Sequence, residues 1–238
     1  MTLRYRLVAV AVAGLLAGVP LSARAWHDET HLAVAKAAGY AGWYNAAGPD
    51  LAKVKAGAVE QRNHFCNNSG GGPVTPELVL AQAARYNSPR DAEGHLYGAI
   101  VAALRAYERA RREGWYAEYH LAYAAHYLGD LSMPLHNLPY DDFNRSHHDR
   151  NDGIVDHGVL ADLAPLRRQM RPVSLGDATF ERDLAREIAR IANGAQKLGE
   201  RLRREQRDLT VAEAYGQLGE SAALLRAVLD HYGRGEGR

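Results

Sequence analysis

His126 and Asp130 stand four residues apart in a stretch that reads as helix. That spacing puts both side chains on one face, with Cβ atoms about 5–6 Å apart. Pro134 cannot continue a helix, so the chain turns there and His136 approaches from another direction. Further on, His148 and Asp152 repeat the same i, i+4 pairing. The segment Tyr119 to Asp152 therefore offers three imidazoles and two carboxylates, the nitrogen and oxygen ligand set that Zn²⁺ takes. A single His-x-x-x-Asp pair is usually an ordinary surface pair on a helix. Two pairs with a third histidine between them make a metal site the better reading.

Upstream residues could complete such a site. Trp26-His27-Asp28-Glu29-Thr30-His31 runs into an apolar helical stretch from Leu32, and Asp28 is placed to cap that helix. Asn63-His64-Phe65-Cys66 lies just before a loop rich in Gly and Asn, a place where functional residues gather. Glu60 and His64 form a further carboxylate and imidazole pair at helical spacing, although alone it could be merely solvated. His95 and His120 have no carboxylate partner at metal spacing and read as ordinary helix residues.

The first 25 residues read as a cleaved export signal: basic Arg4 and Arg6, an apolar run from Leu7 to Val19, and Ala23-Arg24-Ala25 in the small-x-small form of a cleavage site. The run is too short to span a bilayer. The expected product is an exported protein, periplasmic or secreted, that begins at Trp26. The leader holds three of the 29 basic residues and none of the 28 acidic ones, so the remainder is slightly acidic and lacks the basic footprint of a duplex nucleic-acid binder. Cys66 is the one cysteine. No internal disulfide can form, and the thiol reads as a small buried apolar group.

The rest of the chain supplies helices to hold these residues. A short helical stretch is expected over Leu51 to Glu60. Thr75-Pro76-Glu77 has the form of an N-cap followed by proline at the first helical position, opening a helix to about Tyr86. Leu96, Ile100, Leu104 and Tyr107 share one face of a helix expected over Ala92 to Glu113. The His126 helix should start near Trp115, and the His148 helix should run on from Asp152 toward Leu163. Leu184, Ile188, Ile191, Ala195, Leu198 and Leu202 mark an amphipathic helix from Phe180 with a solvated charged face. A last helix covers Val211 to Tyr232. With no internal repeat and no convincing strand, the expected architecture is all-α, a single-domain multi-helix bundle over residues 26–238.

Taken together, Trp26, His31, His64-Phe65, and His126 to His136 followed by His148 and Asp152 resemble the secreted zinc-dependent phospholipase C and single-strand-specific nuclease superfamily, an all-helical fold with three clustered zinc ions. The resemblance implies a first zinc on His64, His126, Asp130 and an upstream carboxylate, and a second on His136, His148 and Asp152. It implies a third on the α-amino nitrogen and carbonyl oxygen of Trp26 with His31, Asp130 bridging the first and third. For the upstream carboxylate, Asp50 has the usual spacing but lies in a Gly-Pro turn. Glu60, after Gly57, has the better context and is the favoured ligand.

The implied activity is hydrolysis of phosphoric esters by a metal-activated water, since zinc lowers the pKa of water from 15.7 to about 7. Glu60 and Asp130 are then the expected catalytic carboxylates. Phospholipase C-like activity is the first expectation. A single-strand nuclease or nucleotidase is the alternative, and a zinc-binding protein without hydrolytic activity is a third. Asn137-Leu138-Pro139-Tyr140 after His136 departs from the phospholipase pattern. The expected partners are a phospholipid head group or single-stranded nucleic acid, with transient contact to a membrane surface, no duplex nucleic acid, and a monomeric protein.

Overall fold

The computed structural model describes residues 26–233. The leader expected over residues 1–25 lies outside the described residues. Within them the chain is a single all-helical domain, with no strand. Helices α1 (Asp28–Ala37), α2 (Gly48–Ala56), α3 (Ala58–Gln61) and α4 (Pro76–Gln82) are followed by the central pair α5 (Leu96–Arg112) and α6 (Glu118–Leu131). Then come α7 (Asp142–Asp152), the short α8 (Asp156–Val159) and α9 (Ala164–Gln169), and the long α10 (Phe180–Glu205) and α11 (Val211–His231). No described helix is long and apolar enough to cross a membrane.

The layout follows from where apolar surface can be hidden. Helix α10 is amphipathic: Leu184, Ile188, Ile191, Ala195 and Leu202 are buried and its arginines and glutamates face solvent. Helix α6 is different, being buried without a break from Ala124 to Leu131, with His126 and Asp130 inside that run. It forms the most extensive helix pair with α5 and also meets α1, α2, α10 and α11. Burying an ionisable pair in the central helix is costly unless other groups compensate.

Several local expectations are revised. Asp28 is the first residue of α1 and does not cap it. Asp156 does so from a distance, its Oδ1 accepting from Thr30 N–H at 3.2 Å and Thr30 Oγ1 at 3.3 Å. The stretch from Leu51 to Glu60 breaks into α2 and α3 at Gly57, whose φ of 56° suits glycine. The helix expected from Ala92 begins at Leu96, with His95 at its N-cap position. The one expected from near Trp115 begins at Glu118. Helix α7 ends at Asp152 and does not run on to Leu163. Thr75 caps α4 as expected, its hydroxyl accepting from Leu78 N–H. Cys66 is buried.

Candidate metal centre

Asp130 is wholly buried at the middle of a ring of imidazoles. Its Oδ2 lies 3.0 Å from His64 Nδ1 and 3.3 Å from His126 Nε2. Its Oδ1 lies 3.4 Å from both His31 Nε2 and His136 Nδ1. Each ring arrives on a different element. His126 is one turn before Asp130 on α6, and His31 projects from α1. His64 follows α3, and His136 sits in the 3-10 turn that begins at Pro134. Gly129 makes room for His31: a Cβ there would stand 2.6 Å from His31 Nδ1. The rings of His31 and His126 stack with centroids 3.7 Å apart.

Hydrogen bonds on the far edges of these rings fix which nitrogen faces inward. His126 Nδ1–H donates to the carbonyl of Ala46 at 2.7 Å, so Nε2 points at the carboxylates. His148 Nδ1–H donates to Asn144 Oδ1 at 2.7 Å. That oxygen is identified by the Asn144 amide, which donates from Nδ2 to the Leu135 carbonyl at 2.8 Å. His64 Nε2–H donates to Glu60 Oε1 at 3.1 Å. Such outer partners are the usual means of orienting metal-binding histidines.

With the far edges so occupied, ring nitrogens and carboxyl oxygens face one another across the centre. His148 Nε2 stands 3.2 Å from Asp152 Oδ2, and neither oxygen of the buried Asp152 accepts a hydrogen bond. Asp130 Oδ1, His136 Nδ1 and both nitrogens of His31 are likewise buried without a hydrogen bond. Buried polar atoms left in this state are costly. A cation among them removes the cost.

Three groups have ligand atoms that all lie within 4.8 Å of one another: His31 with His126 and Asp130; Asp50 with His64 and His126; and His136 with His148 and Asp152. The two upstream carboxylates are placed differently. Asp50 Oδ1 is 3.5 Å from His126 Nε2 and 3.7 Å from His64 Nδ1. Glu60 lies on the opposite edge of the His64 ring and belongs to none of the three groups. Gly57 separates α2, which carries Asp50, from α3, which carries Glu60.

The electrostatics point the same way. Burial opposes the charge on His126, but Asp50 and Asp130 outweigh it and raise its pKa to about 10. Burial also opposes ionisation of Asp130 and Asp50, yet the surrounding imidazoles hold both well below the usual carboxylate range, with Lys53 helping at Asp50. Burial pushes Asp152 well above that range, and Asp130 adds to the rise. Burial pushes His136 far down, and it lowers His31 with help from His126. The cluster draws positive charge, and it holds neutral imidazoles ready as ligands.

Trp26 is buried in the apolar cluster beside Val34, Ala37 and Met133. The next residue ties the strand of chain to α7, His27 N–H donating to the Asp152 carbonyl at 3.4 Å. Lys53, three residues after Asp50, places its ammonium 2.5 Å from Asp50 Oδ1 and is nearly buried. The i, i+3 spacing from Asp50 was its signal. His95, expected as an ordinary helix residue, is instead fully buried and bonded to Asn63 and Asp91. Compared with family models, curated proteins and solved structures, the chain matches none.

Proposed function

We propose that this protein is a zinc-dependent phosphoric ester hydrolase of the phospholipase C and single-strand nuclease type, exported after removal of residues 1–25. One observation carries the reading: three groups of buried or nearly buried His and Asp, two of them sharing His126, gather around Asp130, and several of their inward atoms have no hydrogen-bond partner. Nitrogen and oxygen donors at these distances suit zinc. His64, His126 and Asp50 would hold one ion, His136, His148 and Asp152 another, and His31 with Asp130 a third, with the α-amino end of Trp26 completing it. Bound there, zinc would supply Lewis acidity toward a phosphoryl oxygen and an acidified water.

The chain's own residues have definable parts. Asp130, with imidazoles near both of its oxygens, would offset the charge of more than one dication. Asp50, whose side chain is 13% exposed, would serve as a ligand on the most exposed side of the cluster. The Lys53 ammonium beside it can meet the negative charge of a phosphate. Glu60 acts behind His64, holding its tautomer.

The phospholipase-like reading is supported by Leu51 and Val54, which are exposed on α2 next to Asp50 and Lys53 and suit a lipid surface. The nuclease reading is supported by Tyr140, which is 43% exposed, lies edge-on to His148 and carries the Arg145 guanidinium 5.8 Å from its ring. An aromatic with a cation over it is a platform for an unstacked base. Zinc-replete protein assayed side by side on phosphatidylcholine vesicles and on single-stranded DNA tests both. Release of neither product, from protein that holds its metal, leaves a zinc-binding protein without hydrolytic activity.

A further inference from the structure

Behind His64, away from the metal groups, a buried chain of hydrogen bonds runs out to the N-terminus of α5. Its hub is Asn63, which is fully buried. The Asn63 amide donates from Nδ2 to Asn87 Oδ1 at 2.8 Å, to Tyr127 Oη at 3.2 Å and to Glu60 Oε2 at 3.3 Å. Its Oδ1 accepts from the backbone N–H of Asn87 at 3.2 Å. A backbone N–H can only donate, so the orientation of this amide is fixed. His95 Nε2, 2.9 Å from the same oxygen, must therefore carry a proton. The other edge of His95 meets Asp91, with Nδ1 3.2 Å from Oδ2.

The chain closes on the metal groups through Glu60. Tyr127 donates its hydroxyl to Glu60 Oε1 at 2.6 Å, and His64 Nε2–H reaches the same oxygen. Held by Tyr127 on one oxygen and Asn63 on the other, Glu60 can only accept from His64 Nε2, which puts Nδ1 on the side of Asp130 and Asp50. The backbone secures the same stretch on both sides of His64. His95 N–H donates to the Arg62 carbonyl at 2.9 Å, and Leu96 N–H donates to the Phe65 carbonyl at 3.2 Å. Gly94 allows that approach, because a Cβ there would fall 2.2 Å from the Phe65 carbonyl oxygen.

We infer that His95 is a positioning residue for the metal centre: its Nε2–H fixes Asn63, Asn63 fixes Glu60, and Glu60 fixes the His64 tautomer that presents Nδ1 to the cation. This rests on the reading of Asp50, His64 and His126 as a metal-binding group. Outer partners of this kind are worth about 10- to 100-fold in metal affinity. A merely structural histidine at this place would govern packing and leave the affinity of a folded variant untouched.

Two substitutions of the same polarity separate these roles. His95→Gln keeps an N–H donor where Nε2 stands and can still reach Asn63. His95→Asn places its donor where Nδ1 stands and reaches only Asp91. Zinc titration of the full protein against a competing chelator should show His95→Asn losing about 10- to 100-fold in affinity for one bound ion while the other ions are held as before. His95→Gln should bind as the unaltered protein does. Equal affinities for both variants overturn the inference. If His95→Asn does not fold, imidazole ¹⁵N shifts of the unaltered protein decide: a proton on Nε2 of both His64 and His95 supports the chain, and a proton on His64 Nδ1 overturns it. Zinc-free protein that takes up no zinc overturns the metal reading itself, and the His64 shifts in the two variants still judge the anchor.

Discussion

Glu60 Oε1 lies 3.1 Å from His64 Nε2, on the opposite edge of the ring from Asp130 Oδ2, which is 3.0 Å from Nδ1. One imidazole thus spans two carboxylates, one on its outer edge and one facing the candidate metal groups. Asp50→Asn is therefore expected to lose a bound ion together with most phosphodiesterase activity. Glu60→Gln should keep its ions at saturating zinc and bind one of them about 10- to 100-fold more weakly. Elemental analysis after dialysis at graded free zinc separates the two. A Glu60→Gln variant that cannot be loaded at any zinc concentration would restore Glu60 as a direct ligand.

Asp130→Asn should be the most damaging single substitution in the centre. It keeps the shape but removes the one charge within 3.4 Å of four histidines. The expected outcome is loss of more than one ion and a melting temperature that no longer responds to added zinc. An Asp130→Asn protein with a full metal complement sinks the view of this residue as the shared ligand.

Gly129→Ala tests how closely α1 is seated on α6. Alanine favours a helix interior over glycine by about 1 kcal/mol, so an open site would gain stability. Here the new Cβ meets His31 Nδ1 at 2.6 Å, and overpacking typically costs about 1–3 kcal/mol. The variant should melt lower and bind less metal, as read by calorimetry and zinc content.

Much of the centre was legible because helical periodicity alone pairs His126 with Asp130 and His148 with Asp152, and both pairs are seated that way. What failed to show was whatever depends on a chain break or a long-range contact. Glu60 reads as the better ligand until α2 and α3 are seen to part at Gly57. His95 reads as a helix residue because its helix was expected to start at Ala92. In fact α5 starts at Leu96, and the spacing of four between Asp91 and His95 is the sequence's trace of their contact. Asp28 looks like a cap only so long as Asp156, far along the chain, is out of view.

At the start of α11, Thr210 and Glu213 form a reciprocal cap, and Arg207 binds the Glu213 carboxylate through both oxygens. Arg207 is the main reason that the Glu213 pKa falls to about 2 from an ordinary 4.5, with Thr210 adding to it. A carboxyl depressed in the folded state stabilises above its unfolded pKa and ceases to as pH drops through the folded one. Glu213→Gln should thus cost up to about 1 kcal/mol at pH 7, with the difference shrinking as the pH falls from 4.5 toward 2. Paired denaturant melts in chelator across that range check the sign.

Export and processing should yield a protein whose first residue is Trp26, as the Ala23-Arg24-Ala25 pattern implies. Amino-terminal sequencing of exported material checks it. An added residue ahead of Trp26 should weaken binding of one zinc ion and leave the other two.

The ring around Asp130 gathers side chains that are far apart in the chain, His64 and His126 being 62 residues apart and His64 and Asp130 66. A cation joining them would act as a crosslink in a chain whose single cysteine can make no internal one. Closing a loop of that size removes about 3–5 kcal/mol of unfolded-chain entropy in the disulfide case. Unlike a disulfide, this link dissolves when the surrounding free metal is low. The lifetime of the folded state would then be set by the medium: long where zinc is plentiful, and short beside any neighbour that competes for it.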